Sequence, residues 1–392
     1  MSAAARETAE VPATSPHPPR RRFRRHVPAA AWAVILYAAV RATSLAALAL
    51  WCRSTGKSPR VLLSERWDSL WYVRVAAHGY DFTLTAPDGR SLPSTAFFPL
   101  LPWLETGVHR ATGVGLPTAG LLVGAVASLL AAWGIFHVVR TGHGDRAGVV
   151  CVVLWAAVPV GIVQSMAYSE ALFVALAAWA LHAVLTRRLL LAGTLACLAG
   201  LTRPVGLAVT AALLLAVWQL GRRGGLRTAQ QRLTALLACL IAPTGAVTYI
   251  LWVGERQGNP LGYLDVQASW GNGFDGGWAF ATFLTGGLSP WLSAGTLLLL
   301  LALATWPHIP AKSRPQPAPV LLYSAIVTLL ALGASGYFGS KPRLLLPAFP
   351  LLVPLAVALA RRRPRVLYAT LIPLTLASAA YGAFWLNGSG PP

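Results

Sequence analysis

The chain has 392 residues, of which 56% are hydrophobic and only 11% are charged. This small number of charged side chains cannot cover a water-soluble surface. The composition therefore excludes a soluble globular protein and indicates a membrane protein. Lys and Arg outnumber Asp and Glu by 32 to 12, but the basic residues cluster in short segments between apolar runs. That distribution is typical of positive-inside membrane topology and argues against a nucleic-acid partner.

The N-terminal part is predicted to be a basic tail followed by a membrane span. Residues 1–27 are rich in Ala, Pro and Arg and hold too little apolar surface to fold, so we predict a disordered cytoplasmic tail. The apolar run 29–51 is too long for a signal-peptide core and has no clear small-residue cleavage site. We therefore expect a retained first span, with residues 53–114 forming a first outer loop.

Acidic residues are scarce, and two of them lie close together in residues 65–80, directly after the first span. At helical spacing Glu65, Asp68 and Tyr72 share one face, while Trp67 belongs to an apolar, aromatic side. This pattern predicts a short helix in the membrane interface with a carboxylate turned toward a cavity or toward water. An amphipathic helix without chemistry is the alternative.

The rest of the chain alternates apolar runs with short polar connections. Pro99 and Pro102 predict a broken or re-entrant segment at the end of the first outer loop. The Gly- and Trp-rich second outer loop, 254–288, is predicted to be an aromatic sugar-binding or gating flap, or else a segment that skims the interface. We predict an all-α polytopic membrane protein of about eleven transmembrane helices, with its membrane domain at 28–387 and a short tail at 388–392. The later spans are predicted at 116–139, 147–164, 167–185, 189–201, 204–220, 232–253, 289–306, 318–334, 344–360 and 366–386.

Charge supports one orientation of these spans. Alternating them from a cytoplasmic N-terminus places the arginine clusters at 187–188, 222–232 and 361–365 inside. The same alternation places isolated charged residues near the outer leaflet: Asp68, Glu170, Arg203, Lys341 and Arg343.

Charged groups at membrane depth are costly and by default mark a pathway or a site. Each also has a simpler explanation: Glu170 can cap the helix that follows it, Arg203 can snorkel, and Arg343 can be a positive charge left outside. Against the last, Arg343 opens a helix beside Lys341, and such a group of donors suits a phosphate. A carboxylate combined with cations fits transfer of a lipid-linked phosphosugar, with the carboxylate as general base.

Signatures of other chemistries are lacking in the sequence. Neither a dinucleotide glycine fingerprint nor a GxxxxGK[ST] phosphate loop is present, and the eight histidines form no HExxH. The four cysteines have no CxxC spacing and indicate neither a disulfide framework nor a zinc site. We therefore predict no cofactor and no metal ligands, although a divalent metal requirement stays open.

Five blocks resemble, in order, motifs of the GPI mannosyltransferase II (PIG-V-like) family and its bacterial relatives. WDSLWYVRVAAHGY at 67–80 resembles its WD-x-x-(aromatic)-Y-x-x-I-A-x-x-G-Y stretch, and FFPLLP at 97–102 is similar to F-F-P-L-x-P. YSEALF at 168–173 and TRPVG at 202–206 resemble Y-[ST]-E-[AS]-L-F and T-R-P-x-G. RLLLPAFP at 343–350 resembles R-[FY]-L-L-P-x-F-P, with a leucine in place of the usual aromatic residue.

The resemblance implies a GT-C type glycosyltransferase that moves a hexose, usually mannose, with inversion from a polyprenyl-phosphate carrier to an acceptor on the non-cytoplasmic side. By that analogy Asp68 is the candidate catalytic base. From charge alone, Arg203, Lys341 and Arg343 are candidates for the carrier phosphate, and Glu170 for sugar hydroxyls or for orienting Arg203. The remaining substrate-binding candidates are Glu65, Trp67 and Tyr72.

The expected location is the plasma membrane of a bacterium, with the active site extracytoplasmic. The acceptor stays open between a glycolipid, another glycan and a protein. Two other classes of function are alternatives: a transporter or flippase of a lipid-linked saccharide, which would normally show paired broken helices in two similar halves, and a membrane scaffold without activity.

Overall fold

The computed structural model describes residues 27–86, 89–286, 289–292, 294–295, 298, 316–336, 338–388 and 390. The predicted tail before Val27, most of the predicted span 289–306 and part of the predicted C-terminal tail lie outside these residues. The helices are α1 (Ala29–Thr55), α2 (Pro59–Ser64), α3 (Asp68–His78), α4 (Leu100–Thr112), α5 (Leu116–His143), α6 (Asp145–Ala156), α7 (Ser169–Leu185), α8 (Leu189–Gly200), α9 (Leu207–Arg222), α10 (Ala229–Arg256), α11 (Gly262–Ser269), α12 (Trp278–Leu284), α13 (Ala318–Gly333), α14 (Lys341–Leu344), α15 (Val353–Ala360) and α16 (Pro364–Asn387).

The described elements confirm an all-α polytopic membrane protein. Within them, five helical segments are long and apolar enough to cross a bilayer: α1, α5, Pro204–Arg222 (which contains α9), α10 and α16. The segments Phe338–Leu344 and Phe349–Ala360 meet at 75° and form either a sixth, broken span or a re-entrant loop. The shorter apolar helices α7, α8 and α13 account for other predicted spans, whereas the predicted span 147–164 is the short helix α6 followed by the 3-10 turn Gly161–Ser165.

The centre of the bundle is formed by α5, α6 and α7. Helix α7 has 17 residues, of which 13 are buried, so most of its surface packs against protein and it needs no polar face. A helix enclosed in this way does not have to match the full bilayer thickness by itself, since its neighbours shield its ends. This explains why several predicted spans are shorter than a lipid-exposed span.

Small residues bring α8 and α10 close together. A Cβ at Gly193 would lie 2.6 Å from the carbonyl oxygen of Ala238, and one at Gly245 would overlap the carbonyl of Cys197. Close backbone approach through glycine is a common form of helix packing in membranes.

The predicted short helix within residues 65–80 is present as α3, but it begins at Asp68 after a turn that separates it from α2. Helix α2 ends at Ser64, and Trp67 adopts a left-handed backbone conformation with φ of 50° before α3 begins at Asp68. The Ser69 hydroxyl donates to the Arg66 carbonyl at 2.6 Å and accepts from its N–H at 3.1 Å. These local bonds compete with helical ones, so the chain turns here and the helix begins three residues after Glu65. Asp68 and Tyr72 still share one face of α3.

The remainder of the first outer loop is a hairpin followed by a helix. Strands β1 (Thr83–Thr85) and β2 (Ser91–Pro93) pair antiparallel, with Leu84 opposite Leu92. Pro99 and Pro102 do not break a span but lie at the N-cap and in the first turn of α4, where proline is tolerated because those N–H groups have no helical partner.

Candidate active site

Four charged side chains meet at one end of the helix bundle, although they come from distant parts of the sequence. Asp68 is the first residue of α3, Glu170 lies in the first turn of α7, and Arg343 lies in α14. Arg203 follows α8 in the turn before α9. Because α7 and α8 run in opposite directions, the start of α7 and the end of α8 lie side by side. We refer to these four residues as the charged cluster.

The cluster consists of two ion pairs joined by one arginine. Arg343 Nη1 lies 2.8 Å from Asp68 Oδ2, and Arg203 Nη1 lies 2.5 Å from Glu170 Oε1. Arg343 Nε is also 3.8 Å from the same Glu170 oxygen. The structure therefore brings together four of the residues that the sequence analysis singled out.

Burial differs sharply within the cluster. The Glu170 side chain is 2% exposed, whereas that of Asp68 is 24% exposed and is the most accessible of the four. Two carboxylates face two guanidinium groups, so the formal charges balance, which a buried set of charges requires. Asp68 is thus the acid that an incoming molecule can reach, and Glu170 is held behind it.

Two neighbouring residues of the cluster were not predicted as site residues. The guanidinium of Arg343 lies 5.2 Å from the ring centre of Tyr168, a cation–π contact that fixes its plane. The Ser169 hydroxyl accepts a 2.8 Å hydrogen bond from the hydroxyl of Tyr72. Burial raises the pKa of Tyr72, so its hydroxyl remains a donor. Tyr72 therefore braces the first turn of α7. The sequence feature that could have identified Tyr168 and Ser169 is their position directly before Glu170.

The other three predicted substrate-binding residues make different contacts. Glu65 pairs with Arg60 at 2.7 Å, and the Trp67 ring lies 4.0 Å below the guanidinium of Arg66. Lys341 is buried and donates to the Ala334 carbonyl. Lys341 and Arg343 are two residues apart in α14, and residues at that spacing face different sides of a helix. Lys341 and Arg343 therefore contact different groups, and a phosphate contact of Lys341 stays a prediction.

Part of the second outer loop is docked beside the cluster. Trp270 contacts Trp71 with ring centres 4.8 Å apart, and Trp71 stacks on Phe97 at 5.3 Å. A bridge between Phe274 and Ala334 links the same loop to the segment that leads to Lys341. Since Trp71 is buried, its ring contacts support the site from within, and the role of the second outer loop as a sugar-binding or gating flap stays a prediction.

The segment before Glu170 is fixed by tight packing against α5. A Cβ at Gly124 would lie 2.9 Å from the Met166 carbonyl oxygen, and the Ala167 N–H donates to the Leu63 carbonyl at 3.0 Å.

Glu105 of α4 is buried beside Gly120, and its carboxyl has no hydrogen-bond partner among the described residues. Burial raises the pKa of Glu105 to about 9, so this carboxyl is protonated near neutral pH.

Arg41 is a buried charge that the sequence analysis missed. It lies within α1 and donates to the carbonyls of Ala156 and Gly161. These groups lie at the end of α6 and in the turn after it, where backbone carbonyls lack helical partners. An arginine inside an apolar run was the available signal. Arg41 thus stabilises the chain reversal that leads into α7.

Comparisons with known proteins agree with this architecture. A family model described as dolichyl-phosphate-mannose-protein mannosyltransferase matches residues 93–252, less than half of the chain, including Glu170 and Arg203. No curated protein sequence matches. The structure of ArnT from Cupriavidus metallidurans bound to undecaprenyl phosphate is similar with a TM-score of 0.53 and 20% identity, covering 88% of this chain and 63% of that chain.

A more distant likeness is the archaeal oligosaccharyltransferase AglB from Archaeoglobus fulgidus, in complex with an inhibitory peptide and a dolichol-phosphate. It has a TM-score of 0.45 and 12% identity over 92% of this chain and 56% of that chain. This chain therefore spans less than two thirds of the length of either relative. From the helical architecture and the likeness to ArnT, the chain has a GT-C type fold.

Proposed function

We propose that this protein is an inverting glycosyltransferase that moves a hexose, mannose in the first instance, from a polyprenyl-phosphate carrier to an acceptor on the extracytoplasmic side of a bacterial plasma membrane. The observation that carries the proposal is the contact of the partly exposed Asp68 with Arg343, beside the more deeply buried pair of Glu170 and Arg203. The description of the matching family supports mannose, and the carrier bound to ArnT supports a lipid phosphate.

Asp68 acts as general base in this proposal. The acceptor hydroxyl oxygen forms a bond to the anomeric carbon while the bond from that carbon to the phosphate oxygen breaks. The hydroxyl proton goes to the Asp68 carboxylate, and the bonding electrons leave with the lipid phosphate. Asp68 suits this role because it is the most exposed acid of the cluster.

Arg343 connects the two halves of the reaction. When Asp68 takes the proton it becomes neutral, so Arg343 loses its partner charge at the moment when the departing phosphate gains one. A guanidinium that can exchange a carboxylate for a phosphate oxygen stabilises that developing charge without adding net charge to the resting site. Glu170 holds Arg343 in place from behind, at 3.8 Å, and also fixes Arg203.

The remaining predicted residues act indirectly in this proposal. Tyr72 braces α7 through Ser169, and Lys341 fixes the segment that the second outer loop contacts. Glu65 and Trp67 shape the turn from which Asp68 emerges.

The deciding experiment uses the purified protein in liposomes with radiolabelled polyprenyl-phosphate-mannose and a membrane extract as acceptor source. We expect label to move from the carrier to an acceptor and free polyprenyl phosphate to appear. Consumption of a different hexose donor would keep the transferase and change the sugar. Movement of intact donor across the bilayer without its consumption would instead establish a flippase.

A further inference from the structure

A second polar site lies at the opposite end of the helix bundle. A cavity of about 550 Å³ opens between the end of α7, the end of α9 and the beginnings of α10 and α13. Along α7 the lining residue Leu185 lies 15 residues after Glu170, which corresponds to about 22 Å at the helical rise of about 1.5 Å per residue. The cavity is therefore distinct from the charged cluster. We propose that it binds the phosphate of an anionic phospholipid in the leaflet that faces this end of the bundle.

The charge of the lining calls for an anion. Arg187, Arg223 and Arg227 line the cavity, and none of its described lining residues is acidic. Arg187 and Arg223 form no ion pair with any residue that the structure describes. The side chain of Arg227 donates through Nε to the Gly224 carbonyl at 3.3 Å, and its backbone N–H donates to Gln231 Oε1 at 2.9 Å. Three guanidinium groups thus share one concave space without a counter-charge from the described chain. Guanidinium groups of this kind form paired hydrogen bonds with phosphate oxygens.

The rest of the lining favours a lipid over a free phosphate ion. Val184, Leu185 and Leu220 provide an apolar wall, and Gln219 and Gln231 add amide groups beside the arginines. These residues lie at the ends of apolar helices, which is headgroup depth in a bilayer. Apolar walls next to donors suit a molecule with a phosphate and acyl chains, and basic pockets between spans on the cytoplasmic side recognise such headgroups.

The backbone conformation at Arg187 is a second observation in favour of a role for this arginine. Its φ of 59° lies in the left-handed region that glycine favours at the end of a helix. The N–H of Arg188 bonds to the Ala183 carbonyl at 2.8 Å, so the turn after α7 is tight. A long charged residue here carries a conformational cost that glycine would avoid. The cost is consistent with a side chain retained for its charge.

The test compares thermal unfolding of the purified protein in detergent with added phosphatidylglycerol, phosphatidylcholine or inorganic phosphate. We expect phosphatidylglycerol alone to raise the unfolding temperature. The triple variant Arg187→Asn, Arg223→Gln, Arg227→Gln should lose that shift, because each arginine near a headgroup changes affinity roughly fivefold. Asparagine is chosen at position 187 because it tolerates a left-handed backbone. The single variant Arg223→Gln serves if the triple variant does not fold.

A matched control removes the same charge elsewhere at this end of the bundle. The variant Arg361→Gln, Arg362→Gln, Arg363→Gln lacks three arginines of a different loop and should keep the full response to phosphatidylglycerol. Equal loss in both triple variants would reduce the effect to general surface charge and overturn the proposal. An equal shift with phosphatidylcholine would also overturn it, and an equal shift with inorganic phosphate would replace the lipid by a soluble anion. None of these readouts depends on transferase activity.

Discussion

The guanidinium of Arg343 lies between the carboxylate of Asp68, at 2.8 Å, and that of Glu170, at 3.8 Å. One cation thus joins an accessible acid to a buried one. A change in the protonation of Asp68 therefore alters the charge balance around Glu170. In the proposed reaction, proton transfer to Asp68 and the charge on the departing phosphate are therefore coupled through a single side chain.

Replacing Asp68 by asparagine removes the proton acceptor but keeps the size of the side chain. We expect transfer to fall by about a hundredfold or more, while the protein still inserts and purifies as a single species. Label transfer in liposomes measures the effect. The control is Asp145→Asn, because Asp145 pairs with Arg140 on an exposed surface at 2.8 Å. An Asp68→Asn variant with ordinary activity would remove the general-base role.

Glu170→Gln breaks a buried ion pair and leaves Arg203 without its partner. Such a change costs about 3–5 kcal/mol because an uncompensated charge stays buried. We expect a lower unfolding temperature together with loss of transfer. The double variant Glu170→Gln, Arg203→Met should recover stability but not activity. If stability and activity recovered together, the pair would serve the fold alone.

Glu105→Gln should change how stability depends on pH. The pKa of Glu105 is raised to about 9 from 4.5, so between these values the folded protein holds one proton more than the unfolded chain. The contribution of Glu105 to the free energy of unfolding is complete below pH 4.5. Above that pH it is lost by about 1.4 kcal/mol per pH unit. The glutamine variant lacks this loss, so its unfolding temperature should exceed that of the unsubstituted protein increasingly toward alkaline pH. The exposed Glu255→Gln is the control, and parallel pH profiles would contradict the assignment.

Gly124→Ala tests whether the packing of α5 places Glu170. The added Cβ would lie 2.9 Å from the Met166 carbonyl oxygen, so the segment before Glu170 must move. We expect a loss of about 1–3 kcal/mol in stability and a lower kcat. Gly142→Ala, in the same helix, has no atom within 4 Å of its new Cβ and should be neutral. Equal effects of Gly124→Ala and Gly142→Ala would mean that the loss comes from replacing glycine in α5 and not from the contact with Met166.

The orientation in the membrane can be measured with introduced cysteines. The background variant lacks the four native cysteines, two of which are buried. In intact cells Ser91→Cys, in the first outer loop, should react with an impermeant thiol reagent. Arg188→Cys, after α7, should react only once the membrane is opened. The reverse pattern would place the charged cluster on the cytoplasmic side.

The membrane helices were predictable because their signal is composition over many residues. The predicted spans 116–139 and 232–253 lie within α5 and α10, which extend only a few residues further. Charge in apolar surroundings likewise identified Asp68, Glu170, Arg203 and Arg343. The cost of leaving a charge alone in such surroundings makes convergence of opposite charges a sound prediction.

Features set by local competition or by side-chain direction were not predictable. The break at Trp67 depends on the Ser69 hydroxyl bonding to Arg66, which a helical periodicity cannot reveal. Lys341 was grouped with Arg343 by its nearness in sequence, but α14 turns the two side chains apart. The hydrogen bond from Tyr72 to Ser169 joins α3 to the first turn of α7, two helices whose approach only the folded chain determines.

The close contact between α8 and α10 has a consequence for variation in this protein. No side chain larger than a hydrogen atom fits at Gly193 or Gly245 without moving backbone. A selection that scores assembly alone should therefore deplete every substitution at these two glycines, although neither belongs to the charged cluster. Positions that tolerate no substitution would then mark the contact between α8 and α10 as clearly as they mark the charged cluster.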